Sequence, residues 1–464
     1  MQKFIAKYGL AAHLAILAVA PLFLFPFFGD GAIATTLLWL CLPAAAWTFL
    51  QPSVRRGEML HDARARVASG VFRDHLFWVL LVAVVFCGIR ALNTGIAMVY
   101  DAETAKWVVA SPSLPLISAS VGGTGHLPFA GSLACMVLVL ACRHALGRSA
   151  RQAYFLISSA LAGTAAALAL FMANMGNPVA SAAVRCPYAE LSYVGVAFSV
   201  HAVCGVVAAV SVLEKKWNHV VPLLVMSVGF TAGGAFAFAP AYVSAIFLGA
   251  WLLVFGYAFC YALCVIRGAA EFKTLVVVVV SLLCGWVLVA MTTPSAIVSS
   301  RVEALLDRAF LPDWYESARR AVSALSVKAW MASPWTGTGV GSFAIDVRFN
   351  ATPSDWAAMP AGLVAPPFGW LKLLTERGIV GVAMMALPLI LMLGTYFVRL
   401  VGWVMSRTAP QAGCWAAPAV LAAVASTAFL DCSYLRVDVL MAVAAVLSLS
   451  ASTFPKAVKG GKNG

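Results

Sequence analysis

The stretch LFWVLLVAVVFCGIRALNTGIAM, from Leu76 to Met98, carries one charged side chain, that of Arg90. A helix needs about 20 mostly apolar residues to cross a bilayer, so this stretch is long enough to span a membrane. Of the 464 residues in the chain, 62% are hydrophobic and 11% are charged, whereas soluble domains have roughly 45–50% apolar and about 25% charged residues. No soluble fold of this size hides so much apolar surface, and backbone inside a bilayer must pair with itself, mostly in helices. The composition therefore predicts an all-α polytopic membrane protein.

Apolar segments of similar length occur on both sides of this stretch, and we count about twelve in all. They lie at 8–28, 32–50, 76–98, 127–146, 152–174, 191–212, 220–238, 242–266, 274–291, 378–398, 413–430 and 436–453. The first segment follows a basic start like that of a signal peptide, but its length and the segments after it favour a retained helix. The chain thus divides into residues 1–291 with nine helices, a long loop at 292–377, and residues 378–464 with three helices and a basic tail.

Lysine and arginine are concentrated in every second loop between these segments. If the N-terminus, with Lys3 and Lys7, is cytoplasmic, all of these basic loops are cytoplasmic too, as short basic loops of membrane proteins are. The remaining short loops are poor in basic residues or carry acids. The pattern predicts that both termini are cytoplasmic and explains most of the net charge of +13 without nucleic-acid binding. A basic cytoplasmic face would also favour contact with anionic membrane lipids.

The long loop at 292–377 would then lie outside the cytoplasm, and it contains the stretch SPWTGTGVGSF from Ser333 to Phe343. An amphipathic helix is predicted just before it, from about Tyr315 to Met331, lying on the membrane surface with its apolar side down. Pro334 ends that helix. The three glycines of the stretch allow a tight path close to other backbone. A nucleotide loop is disfavoured, because ATP and NAD are absent on that side and the motif lacks a flanking strand and helix.

The order of motifs in this region resembles the C-terminal part of the O-antigen ligase and O-antigen polymerase superfamily. An arginine precedes P-x-x-G-x-G-x-G-x-F by about fifteen residues, and L-x-x-x-x-E-x-G-I-x-G then opens a membrane helix. The matching residues are Arg319, Pro334, Gly337, Gly339, Gly341, Phe343, Leu371, Glu376, Gly378, Ile379 and Gly381. The motif match covers roughly seventy residues, and the layout of twelve helices with one long outer loop is also similar.

The resemblance implies a metal-independent enzyme without a cofactor, in the inner membrane of a bacterium. Its donor would be a glycan on a polyprenyl diphosphate, and its acceptor another glycan or a lipid. The resemblance and the residues give Arg319, Glu376 and Asp346 as candidate catalytic residues. Candidates for binding the diphosphate or the sugar are Arg320, Arg185, Arg348, Arg377, Gly337, Gly339 and Gly341. Guanidinium groups suit this role because they pair with phosphate in a fixed fork and stay charged. The cysteines show no metal-binding spacing, so no metal site is predicted.

Two departures from the family pattern leave alternatives open. Pro367 and Phe368 stand where the family has a His-Asn pair that activates the acceptor, and the turn AFAFAPAYVSAIF lacks the usual Ser-Arg. The base is then Asp346, Asp355 or Glu376, or the acceptor needs little activation, or catalysis has been lost. The alternative functions are a transporter or flippase and a non-catalytic binder of a lipid-linked glycan.

Overall fold

The computed structural model describes residues 2–54, 57–96, 98–101, 106–109, 120–121, 124–180, 193–213, 220–238, 313–358, 369–406, 417, 420 and 436–453. The helices in the first part of the chain are α1 (Gln2–Leu24), α2 (Asp30–Leu50), α3 (Leu60–Phe72), α4 (His75–Leu92), α5 (His126–Leu140), α6 (Arg148–Asn174), α7 (Tyr193–Leu213) and α8 (Val221–Phe238). Those in the second part are α9 (Asp313–Ala332), α10 (Phe343–Asn350), α11 (Pro353–Ala358), α12 (Gly369–Ser406) and α13 (Val437–Thr453). One π-helical turn, Ala141–Ala145, extends α5.

Six of the described helices are long and apolar enough to cross a membrane: α1, α2, α4, α5 with its π-turn, α6 and α12. Shorter apolar stretches lie within α7 and α13. The chain is therefore a mainly helical membrane protein, as the composition predicts. The predicted segments at 242–266 and 274–291 lie outside the described residues, as does that at 413–430 except for residues 417 and 420.

The stretch Leu76–Met98 is not helical over its whole length. Helix α4 ends at Leu92, and short strands follow: β1 (Thr94–Ile96), β2 (Met98–Asp101), β3 (Lys106–Val109) and β4 (Ser120–Val121). Strands β2 and β3 form an antiparallel pair, and β1 pairs in parallel with β4. Hydropathy extends the predicted span because residues 95–98 are apolar or small, although a glycine and β-branched residues favour extended backbone there.

Small residues bring the apolar helices close together. Helices α6, α7 and α8 pack on one another, and α1 packs on α6. A Cβ at Gly163 would overlap Ser227, and one at Gly205 would overlap Val228. Close approach of this kind supplies the van der Waals contact that holds helices together in lipid, where the hydrophobic effect between helices is weak.

Polar contacts mark the two ends of the bundle formed by α4 and α5. At one end Asp74 caps α4 through the Leu76 amide, and its Oδ2 accepts hydrogen bonds from Arg143 and His144, both at 2.9 Å. At the other end the Ser120 amide donates to the Asn93 carbonyl at 2.9 Å. Residues 333–342, which we name the glycine loop, lie at this second end, which we name the loop end.

Candidate functional site

Helix α12 is broken at Gly378. This residue has φ 62° and ψ −171°, a conformation far from the helix on either side of it. Such backbone is essentially restricted to glycine, because a Cβ there costs of order 1–3 kcal/mol. The break falls within the Glu376-Arg377-Gly378 motif, and the predicted spanning segment began at this same residue.

The glycine loop occupies the break and pairs with the backbone on both sides of it. The amides of Thr338 and Gly339 donate to the carbonyls of Thr375 and Glu376, at 2.8 and 3.0 Å. After the break, the amides of Ile379 and Val380 donate to the carbonyls of Pro334 and Trp335, at 2.9 and 3.1 Å. In an unbroken α12 the carbonyls of Thr375 and Glu376 would accept hydrogen bonds from the amides of Ile379 and Val380. The loop therefore replaces the hydrogen bonds that the break removes.

Gly337 and Gly378 each leave room for the other's backbone. Gly337 has φ 69°, and a Cβ on it would overlap the backbone between Glu376 and Gly378. A Cβ on Gly378 would overlap the Trp335 carbonyl and lie 2.6 Å from the Gly337 amide nitrogen. The predicted close approach to other backbone is thus confirmed at Gly337. Gly339 and Gly341 also have positive φ, at 129° and 82°.

The other edge of the glycine loop is held by the segment that leads into α5. The Val121 amide donates to the Val340 carbonyl at 2.9 Å, and the Thr124 hydroxyl lies 3.0 Å from the same oxygen. A Cβ on Gly341 would lie 2.7 Å from that hydroxyl oxygen. The loop is therefore fixed between α12 and the start of α5.

Arg90 of α4 joins the glycine loop to α12 from a third side. Its side chain is 2% exposed, and its Nη2 donates to the Glu376 carbonyl at 2.7 Å and to the Thr336 carbonyl at 3.1 Å. The guanidinium also lies over the Phe86 ring, 5.2 Å from its centroid. The sequence analysis did not assign Arg90 to the candidate site. The signal that singles it out is that it is the one charge in a long apolar stretch, where a charge must find partners inside the protein.

Arg377 and Glu376 lie close enough to Arg90 for their charges to act on it. Glu376 is 5% exposed. Arg377 is partly buried, its Nη1 donates to the sulfur of Met385 at 3.2 Å, and its buried Nε makes no hydrogen bond to any described residue. With Glu376 ionised, these three side chains carry one net positive charge. Such a cluster can attract an anionic group, because screening by water is weak at a buried site.

Asp346 fastens α10 to the glycine loop. Its Oδ2 accepts from the hydroxyls of Thr338 and Ser342, at 2.5 and 2.7 Å, and the Thr338 hydroxyl also lies 3.0 Å from the Thr375 carbonyl. Burial raises the pKa of Asp346, although the two hydroxyl hydrogen bonds act in the opposite direction. The carboxyl group therefore helps to hold the glycine loop in place.

Helix α9 does not lie with its apolar side on the membrane surface. Val322 and Leu325 of that side are buried with Phe343 and Val347 of α10, and α9 also packs on α12. Amphipathic periodicity shows only that one side of a helix is covered, and here protein covers it. Arg319 and Arg320 both belong to α9, and Arg320 is exposed.

The remaining predicted residues divide into three groups. Arg185 and the Pro367-Phe368 pair lie outside the described residues, and the backbone of Arg348 belongs to α10. Asp355 forms an N-terminal cap of α11, since its Oδ2 accepts from the Thr352 amide and hydroxyl at 2.8 and 2.7 Å. These bonds lower the pKa of Asp355, which does not suit a general base.

No protein-family model matches the chain, and no curated protein was found to be similar to it. Among the described residues, no group of three or more His, Cys, Asp or Glu side chains could hold a metal ion. The structure therefore defines a helical membrane protein whose candidate site is the glycine loop docked on α12, with Arg90, Glu376 and Arg377 beside it.

Proposed function

We propose that the chain is a membrane glycan transferase similar to O-antigen ligases and polymerases. It moves a glycan from a polyprenyl diphosphate to a glycan or lipid acceptor at the loop end. The observation that carries this proposal is the docking of the glycine loop onto the Glu376-Arg377-Gly378 break, because it joins the two motifs of the resemblance into one site.

The charges at the loop end suit a diphosphate leaving group. Negative charge grows on the diphosphate as the bond from sugar to oxygen breaks, and fixed guanidinium groups in a buried site stabilise that charge more than they stabilise the substrate. Arg377 is half-buried at the break, and Arg319 and Arg320 lie on α9, which packs against α12. We assign the diphosphate to these arginines.

Glu376 is our candidate for activating the acceptor hydroxyl. Asp346 is the other buried acid beside the loop, but its Oδ2 already accepts two hydroxyl hydrogen bonds that hold the loop. A carboxylate next to a sugar hydroxyl accepts a proton as that oxygen attacks, and this role needs no metal.

We further propose twelve spanning helices, cytoplasmic termini, and a loop end that faces outward from the inner membrane of a bacterium. The distribution of arginine supports this orientation. Arg66 and Arg143 lie at the end of the bundle opposite the glycine loop, where Arg66 pairs with Glu58 and Arg143 with Asp74. Cytoplasmic ends of membrane proteins are enriched in such residues.

The test is deletion of the gene in the source bacterium, followed by profiling of surface glycans and lipid-linked intermediates. We expect unligated or short lipid-linked glycan to accumulate on the outer leaflet. Complementation should fail with Arg319→Ala and succeed with Lys328→Ala, since Lys328 is an exposed residue of the same helix.

Three results would count against the proposal. Normal glycans in the deletion strain would refute transfer as the function, and accumulation on the cytoplasmic leaflet would indicate transport instead. Full complementation by Arg319→Ala would remove Arg319 from the site.

A further inference from the structure

We propose that Arg90 is a positioning residue whose buried charge keeps the glycine loop docked in the break of α12. The proposal concerns the same site, and its consequence for glycan transfer rests on the proposed function. It starts from the two carbonyls that Arg90 binds: Thr336 belongs to the loop and Glu376 to α12, so one guanidinium contacts both partners.

Backbone hydrogen bonds alone do little to keep the loop docked. Docking makes four bonds between the loop and α12. If the loop leaves, the carbonyls of Thr375 and Glu376 can pair with the amides of Ile379 and Val380, as in any continuous helix. The exposed groups of the loop then bind water, and exchange of protein bonds for water bonds has only a small net effect. The contacts that differ most between the two states must therefore come from side chains.

Arg90 supplies one such side-chain contact, and it carries a charge. It lies near the end of an apolar spanning helix and is 2% exposed. Release of the loop would take away the Thr336 carbonyl, which is one of the two carbonyls that Arg90 binds at this site. The loss of an acceptor is costly for a buried charge, so the released state is disfavoured for as long as residue 90 is charged.

Docking in turn fixes the backbone that carries the candidate site. Gly378 can adopt its non-helical conformation without loss because the loop pairs with both sides of the break. That conformation sets the direction in which Glu376 and Arg377 leave α12. Arg90 would thus act on transfer through the position of these two side chains and not through contact with the reacting atoms.

The experiment measures thiol labelling in purified full-length protein. Val340 belongs to the loop and is 7% exposed while the loop is docked, so Val340→Cys reports release. Val322 of α9, which is 1% exposed, gives a second reporter for general loosening. Labelling by a maleimide is quantified at each site by mass spectrometry of the peptide. The variants are Arg90→Met, which keeps an apolar side chain of similar length, and Arg90→Lys, which keeps the charge.

We expect Arg90→Met to raise the labelling rate at position 340 at least tenfold without a change at position 322. Arg90→Lys should give a smaller rise, because its charge still requires the same carbonyls. Arg436→Met is the matched control, since Arg436 pairs with the exposed carboxylate of Asp30 and should leave both reporters unchanged.

Several outcomes would overturn the proposal. Unchanged labelling in Arg90→Met would show that the charge does not hold the loop. Equal rises at both reporters would indicate a general loss of structure, and equal rises in the Met and Lys variants would show that charge is not the cause. In cells, Arg90→Lys should restore more glycan transfer than Arg90→Met. A deletion strain with normal glycans would refute the proposed function and leave the labelling result standing.

Discussion

Gly378→Ala tests whether the break in α12 and the docked loop depend on each other. An alanine in the backbone conformation of Gly378 costs about 1–3 kcal/mol, and its Cβ would overlap the Trp335 carbonyl. The same alanine stabilises a continuous helix by about 1 kcal/mol relative to glycine. Both effects favour a straight α12 and a released loop.

The expected shift is about 2–4 kcal/mol, because the backbone hydrogen bonds nearly balance between the two states. This corresponds to roughly a 30- to 700-fold fall in the ratio of docked to released loop. The assay is maleimide labelling of Val340→Cys in the purified protein. The labelling rate should rise in proportion to the fraction of protein with a released loop, provided that the loop opens and closes faster than the thiol reacts.

The matched control is Gly394→Ala, in the same helix. A Cβ on Gly394 meets no atom within 4 Å, so this change should leave labelling unaltered. If Val340→Cys is as well protected in Gly378→Ala as in Gly394→Ala, then the break does not depend on glycine and its coupling to the loop is refuted.

Two further predictions concern buried carboxylates outside the spans. Because burial raises the pKa of Asp346, the docked loop should be most stable below the ordinary value of 3.8 and lose stability as pH rises through the raised value. Protection of Val340→Cys against a pyridyl disulfide should follow that trend, and Asp346→Asn should abolish it. Burial also acts to raise the pKa of Asp74, but the His144 hydrogen bond and the Arg143 charge outweigh it and lower the value to about 2. Asp74→Ala should therefore lower the free energy of unfolding by about 2–3 kcal/mol above pH 4, and this difference should shrink as the pH falls through about 2. Thermal unfolding measured over this pH range checks the prediction.

Several apolar helices could be predicted closely from the sequence, because a long uninterrupted apolar run has few alternatives. Helix α2 was predicted at 32–50 and is observed at Asp30–Leu50, and α8 was predicted at 220–238 and is observed at Val221–Phe238. Helix α12 shows the limit of this reasoning. Hydropathy places the start of its segment at residue 378, but the helix starts at Gly369, and its first two turns contain Lys372 and Glu376.

The partners of a side chain were much harder to predict than its surroundings. The lone charge in an apolar stretch indicates that Arg90 needs acceptors within the protein, but the Glu376 carbonyl is 286 residues away along the chain. Local periodicity carries no information on contacts at that separation. The same limit applies to α9, because periodicity does not show whether a membrane surface or protein covers its apolar side.

The structure changes what the glycines of the two motifs indicate. Gly337 stands in the first motif and Gly378 in the second, and each would overlap the other's backbone if it carried a Cβ. Their occurrence together is thus explained by the docking of one segment on the other, without any contact to a ligand. The motif glycines are evidence for a shared loop structure, whereas evidence for diphosphate chemistry must come from the charged side chains that this structure brings together. Of these, Arg377 lies at the break itself, and Arg90 binds both the loop and α12. Docking joins the two motifs into one site, and the arginines give that site its affinity for an anion.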